Sequence, residues 1–120
     1  MKLLIVEDSW KMREMLKSIF KTIFNEIREC EDGETSLQEY ESFSPDWVFM
    51  DIEMKKVDGI TASKEILKFY PQAKIVIITS HNDPHIKADV LSLGVYKFIW
   101  KGDILCLLDM FEKNAMKTIL

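Results

Sequence analysis

Three features of the sequence predict an α/β fold built on a parallel sheet with helices on both faces. Five short apolar runs recur along the chain: LLIV (3–6), IREC (27–30), WVFM (47–50), KIVIIT (74–79) and YKFIW (96–100). Segments with helical spacing separate them, so strand and helix alternate five times. WVFM and KIVIIT are apolar without a break, as strands covered on both sides must be.

The elements follow in order. After LLIV, the positions Met12, Met15, Leu16, Ile19, Phe20 and Ile23 form one stripe and predict a first helix over Lys11–Phe24. IREC reads as the second strand, and a second helix is expected from Glu34 to Phe43. WVFM is the third strand, followed by a third helix from Ile60 to Tyr70 that Pro71 helps stop. KIVIIT is the fourth strand. Pro84 suits a first helical turn, so a fourth helix starts there and ends at Gly94. YKFIW is the fifth strand and the last helix runs from Asp103 to Met116. Gly33, Gly59, Gly94 and Gly102 all fall at turns or helix boundaries. None sits in a G-x-G-x-x-G or G-x-x-x-x-G-K pattern, which argues against a nucleotide-binding Rossmann domain.

A chain of 120 residues suits one domain, and 48% hydrophobic with 30% charged residues is ordinary for a water-soluble one. No apolar run approaches the ~20 residues of a membrane span. The opening MKLLIVEDS reaches acids after only four apolar residues, so it is not a signal peptide, and a cytoplasmic location is expected. A net charge of −4 without any basic stripe speaks against direct nucleic-acid binding. Cys30 and Cys106 lack the close spacing of a metal or redox pair and are expected to be buried thiols. His81 and His85 are four apart, but Pro84 starts a helix between them, so they are expected to be surface loop residues. The methionines and Trp10, Trp47 and Trp100 read as core or interface filler, with Trp10 near the mouth of any pocket beside the acidic pair.

Ligands of an open α/β sheet bind beyond the carboxyl ends of its strands. There the sequence places Glu7-Asp8 after the first strand, Asp51 after the third, Thr79-Ser80 at the fourth and Lys101 after the fifth. Converging carboxylates repel: two charges ~4 Å apart cost about 4 kcal/mol at an effective dielectric near 20. Such a cluster raises a pKa, holds a cation, or does both. Oxygen ligands favour a hard cation, and few protein ligands with room for water suit Mg2+ better than Ca2+. No EF-hand loop is present. With a lysine and a hydroxyl added, the set is a receptacle for a phosphoryl group transferred to Asp51.

Four motifs, LLIVEDS, VFMDIEMKKVDGI, IVIITSHND and YKFIWKGDI, each at a strand end and in this order, resemble the receiver domain of bacterial two-component response regulators over essentially the whole chain. The resemblance implies a single doubly wound (βα)5 domain, flavodoxin-like, with strand order 2-1-3-4-5 over residues 1–120. It implies that Asp8 and Asp51 ligate Mg2+, that Glu7 holds a metal-bound water, and that the backbone carbonyl of Glu53 completes the protein ligands. Asp51 would take the phosphoryl group of a phosphohistidine on a sensor histidine kinase or phosphotransfer protein. Lys101 would pair with Asp51 and then with a phosphoryl oxygen. Thr79 would bond another oxygen, and Phe98, three before the lysine, would be the aromatic switch that reshapes the face of the fourth helix, fifth strand and fifth helix. Such a protein is a signalling phosphoacceptor rather than an enzyme with turnover, catalysing only its own phosphorylation and dephosphorylation. Glu53 and Ser80 stand where the family tunes phosphoryl lifetime. Output would go to a downstream protein target, a fused effector domain or a phosphorylation-dependent homodimer, the chain being a stand-alone receiver or the N-terminal part of a longer regulator.

The chain departs from the family pattern in three places. Gly102 replaces the usual proline after the lysine. Met54-Lys55-Lys56-Val57-Asp58-Gly59 lacks the usual proline and adds two positive charges, which is expected to free that loop. Phe98 lacks the hydroxyl of the common tyrosine, leaving a packing switch. Two rivals remain open: a pseudo-receiver switched by partners alone, and an Asp-nucleophile phosphatase of the haloacid dehalogenase type. Against the latter, the nucleophile does not lie on the first strand, the second acid is Glu53 rather than Asp, and no acidic pair follows the lysine.

Overall fold

The computed structural model describes residues 1–54 and 56–119, with side chains as far as 114. Five strands, β1 (Lys2–Val6), β2 (Glu26–Cys30), β3 (Trp47–Met50), β4 (Ile75–Thr79) and β5 (Lys97–Trp100), form one sheet in the order β2-β1-β3-β4-β5. Every pairing is parallel, with Val6 opposite both Cys30 and Met50, and Thr79 opposite Trp100. The carboxyl ends therefore come to one edge. The expected flavodoxin-like fold and strand order are those observed.

The strand period of two sorts the core into two layers. Leu3, Ile5, Phe49, Val76, Ile78 and Ile99 face α1 (Trp10–Phe20) and α5 (Ile104–Ile119), meeting Leu16, Phe20, Leu107 and Phe111. Leu4, Val6, Val48, Met50, Ile75, Ile77 and Phe98 face α2 (Ser36–Phe43), α3 (Gly59–Phe69) and α4 (Pro84–Leu91), meeting Phe43, Ala62, Ile66 and Val90. Side chains of this size contribute about 1.5–3 kcal/mol each on full burial.

Local chemistry sets the helix starts. Ser9, Asp58 and Asp83 are N-caps whose side chains accept from the N–H groups of Met12, Thr61 and His85, at 3.3, 2.8 and 2.8 Å. Pro84 follows its cap in the first turn of α4, as expected. The first helix is shorter than the apolar stripe suggests and ends at Phe20. The chain turns there, and Phe24 enters the core 2% exposed, edge-on to Phe49 and Phe111. Packing of that ring outweighs continuation of the helix.

One expectation is corrected. Cys30 is buried, but Cys106 is exposed on the outer face of α5, where the apolar periodicity of that helix had suggested burial. Among the tryptophans, Trp47 is core, whereas Trp10 and Trp100 are 65% and 42% exposed. Among the described residues, no helix is long and apolar enough to cross a membrane.

Candidate functional site

The carboxyl edge of the sheet holds an open cleft of about 610 Å³ lined by Glu7, Asp8, Asp51, Glu53, Asp58 and Lys101, among others. Backbone bonds set the acids. The Asp51 N–H donates to the carbonyl of Val6 and the Glu7 N–H to that of Cys30, both at 3.0 Å. These bonds carry the ladder one residue past each strand and hold Glu7 and Asp51 on adjacent strands. Carboxylate oxygens of Glu7, Asp8 and Asp51 lie within 4.8 Å of one another, the one such grouping among the described residues.

Glu7 and Asp51 are only 3% and 4% exposed. Lys101 follows β5 in a short 3-10 turn over 101–103 and reaches across to put its Nζ 3.5 Å from Glu7 Oε2 and 3.8 Å from Asp51 Oδ1. One ammonium thus serves two buried carboxylates. Burial, reinforced by the Asp51 charge and opposed by Lys101, pushes Glu7 up to about 7. Burial likewise raises Asp51, against the lowering effect of Lys101 and of the Glu53 N–H. All-oxygen donors, excess negative charge and an open side toward water fit a hard divalent cation of the Mg2+ kind.

The loops around the cleft are tightly fitted. A side-chain carbon on Gly59 would lie 1.9 Å from the Asp51 carbonyl oxygen, so glycine alone fits there. Gly33 approaches the Val57 carbonyl in the same way, and Lys56 pairs with Glu34 at 3.7 Å. The described part of the loop after Asp51 thus touches the β2–α2 loop at these two points. Lys55 lies outside the described residues. Among the described residues no peptide bond is cis, and Gly102 continues the turn that carries Lys101.

Thr79 is fully buried, and its Oγ1 accepts the His81 N–H at 3.2 Å, so its hydroxyl sits beside the cleft rather than in its wall. Phe98 is 7% exposed and packs inward in the layer shared with α4. Trp10 lies one residue beyond the part of the β1–α1 loop that lines the cleft.

One neighbour escaped the sequence reading. His81 Nε2 meets Glu53 Oε1, joining the β4–α4 loop to the β3–α3 loop. A comparison of His81 with His85 stays within one stretch of the chain, whereas the partner lies on the neighbouring loop. The useful signal was that both loops leave adjacent strands at the same edge.

The response regulator receiver domain model matches residues 3–110. The chemotaxis protein CheY of Bacillus subtilis is 39% identical over 101 residues, covering 83% of this chain and 84% of that protein. The transcriptional regulatory protein DegU of Brevibacillus brevis is 31% identical over 101 residues, covering 82% of this chain and 43% of the longer relative. Among solved structures, a chain of the CheX–CheY–BeF3–Mg2+ complex of Borrelia burgdorferi superposes with a TM-score of 0.81 at 28% identity, covering 99% of this chain and 89% of that one. With the sheet order, the acid cluster and the lysine beside it in agreement, the chain belongs to the response regulator receiver domain family.

Proposed function

We propose that this chain is a phosphorylation-dependent signalling switch in which Asp51 accepts a phosphoryl group from a phosphohistidine of a sensor histidine kinase or phosphotransfer protein. The observation that carries this is the position of Asp51: nearly buried at the end of β3, beside Lys101 and within 4.8 Å of two further carboxylates. A structural acid gains nothing from such company, while a nucleophile for a charged phosphoryl group does. A similar chain belongs to a CheX–CheY complex of Borrelia burgdorferi solved with BeF3 and Mg2+, which supports a phosphoryl and Mg2+ site in this fold.

Asp8, Asp51 and the backbone carbonyl of Glu53 would hold Mg2+, with Glu7 holding a metal-bound water, and the ion when bound neutralises charge on the phosphoryl oxygens. One carboxylate oxygen of Asp51 attacks phosphorus. The phosphorus–nitrogen bond of the donor breaks, and its electron pair leaves with the imidazole. Lys101 then turns from Asp51 to a phosphoryl oxygen. The Thr79 hydroxyl, whose oxygen accepts the His81 N–H, donates its proton to another phosphoryl oxygen, drawing the β4–α4 loop inward. Phe98 packs directly beneath α4 and transmits that movement to the face of α4, β5 and α5. Leu91, Tyr96, Trp100 and Leu105 are 41%, 52%, 42% and 69% exposed along it, a surface for a protein target or a second copy. Residues 1–120 are read as one receiver domain, stand-alone or part of a longer regulator, working in the cytoplasm beside ATP-dependent kinases. Water attack on the acyl phosphate of Asp51 would reset the switch.

Intact mass after incubation with Mg2+ and acetyl phosphate tests this, beside Asp51→Asn. One added phosphoryl group, lost in the variant and under chelation, is expected. No uptake by the folded protein would replace this reading with a pseudo-receiver, and steady release of phosphate from esters would point to a phosphatase.

A further inference from the structure

We infer that Arg13 is a positioning residue for the metal-binding acids, holding the main chain of the loop that carries Glu7 and Asp8. Its Nη1–H donates to the carbonyl oxygen of Glu7 at 2.8 Å, and its Nε–H donates to Glu29 Oε1 on β2 at 3.1 Å. The side chain is only 12% exposed although it starts from the first turns of α1. Glu29 is held from its other oxygen by Lys17 at 3.2 Å, so the guanidinium has a fixed anchor.

The consequence falls on one residue, whose two flanking peptide units are both held. The Glu7 N–H is tied to Cys30 on β2, and the Glu7 carbonyl is tied through Arg13 to Glu29 on the same strand. Both main-chain groups of Glu7 are thereby fixed to β2. The Glu7 side chain and the peptide leading into Asp8 leave this point in set directions. The Glu7 carboxylate is fixed once more by the Ser9 N–H at 3.2 Å and meets Lys101 at 3.5 Å. A charge-assisted bond to a carbonyl is roughly twice as strong as a neutral one, and it carries positive charge toward three carboxylates without occupying their oxygens. Arginine is required because one planar fork serves Glu29 and the carbonyl together, whereas a lysine ammonium of shorter reach serves one of them.

The inference rests on the assignment of Glu7, Asp8 and Asp51 as an Mg2+ site. Groups that orient metal ligands without touching the metal typically change affinity about 10–100-fold when removed. Arg13→Ala is therefore expected to weaken Mg2+ binding to the full chain about tenfold, measured by calorimetric titration with Mg2+ alone. The Mg2+ concentration for half-maximal phosphorylation by acetyl phosphate should rise in step, with the stoichiometry at saturating Mg2+ unchanged. Arg13→Lys should recover part of the affinity, and Glu29→Gln, which keeps the guanidinium but loosens its anchor, should lose less than Arg13→Ala. If Arg13 serves the fold alone, these variants melt earlier yet bind Mg2+ as the parent does, and the inference is overturned. Should Arg13→Ala fail to fold, Arg13→Lys and Glu29→Gln decide by the same titration. A parent chain that binds no Mg2+ would remove the metal site and this inference together. A parent that binds, beside folded variants of equal affinity, would remove this inference alone.

Discussion

The indole of Trp100 lies over the α-carbon of Gly102: a methyl group added there would come within 2.1 Å of Cζ3 and 2.5 Å of Cε3. The space a proline ring would need beside Lys101 is taken by the tryptophan two residues earlier. Because the obstructing atoms belong to a half-exposed side chain, Gly102→Ala should swing the indole outward rather than break the fold. A destabilisation of about 1 kcal/mol is expected, at the low end of overpacking costs. Urea unfolding of Gly102→Ala, Trp100→Ala and the double variant gives the check. The cost of the alanine at 102 should vanish in the Trp100→Ala background. Strict additivity would show that the ring does not restrict this position.

The pair between His81 and Glu53 bridges two loops beside the open side of the cleft. On the proposed function, water that hydrolyses an acyl phosphate on Asp51 enters from the open side of the cleft, which this pair borders. The two side chains are 44% and 58% exposed, so the contact is worth only about 0.5–1 kcal/mol. His81→Ala and Glu53→Ala are each expected to shorten the phosphoryl lifetime roughly two- to fivefold, the rate equivalent of that energy. The double variant should be no faster than the faster single one. Decay of the phosphorylated mass after rapid removal of the phosphodonor measures this. Lifetimes that multiply in the double variant would show the residues acting separately.

Glu7 makes the fold sensitive to pH. Its carboxyl is raised from the usual 4.5 to about 7, chiefly by burial and then by the Asp51 charge. The folded state thus binds this proton more tightly than the unfolded chain. The stabilisation is fully present below pH 4.5 and is lost as pH rises through about 7. Asp51 is raised too and acts in the same direction. The full separation corresponds to roughly 3–4 kcal/mol for Glu7, at about 1.4 kcal/mol per pH unit. Urea midpoints without metal should therefore fall between pH 4.5 and pH 8 relative to those of Glu7→Gln, and saturating Mg2+ should restore the parent most at high pH. Parallel profiles for parent and Glu7→Gln would contradict the raised value.

The sheet was legible because its strands are short, apolar and regularly spaced, and because parallel pairing brings every carboxyl end to one edge. Glu7, Asp8, Asp51 and Lys101 could be placed by that rule alone. What escaped was lateral. The Glu53–His81 contact joins residues 28 apart, and Arg13 reaches Glu29 across 16 positions. No local spacing encodes either. The end of α1 was misplaced for a related reason: the helical stripe from Met12 to Ile23 is real, but Phe24 finds more contact by turning into the ring cluster with Phe20, Phe49 and Phe111. Cys106 shows that an apolar periodic segment also has an outer face, with Leu105 exposed beside it.

Gly59 is the counterpart of Gly102 with the opposite expectation. A side-chain carbon at Gly59 would lie 1.9 Å from the carbonyl oxygen of Asp51, 2.7 Å from its carbonyl carbon and 2.9 Å from Cα of Ile52. These are backbone atoms, and the Gly59 N–H is bonded back to the Ile52 carbonyl at 2.9 Å, so neither side can yield without moving Asp51. Gly59→Ala should cost at least about 3 kcal/mol, the upper range for overpacking a closed site. Molecules that remain folded must carry Asp51 displaced from Lys101 and the other acids. Their phosphoryl uptake from acetyl phosphate should therefore fall by more than their folded fraction, when both are measured on one sample by intact mass and circular dichroism. Gly102→Ala, whose obstruction is a movable ring, should keep uptake close to the parent's. If the alanine at 59 cost no more than the one at 102, the close packing of the α3 start against Asp51 would be refuted, and with it the claim that glycine there fixes Asp51 in place.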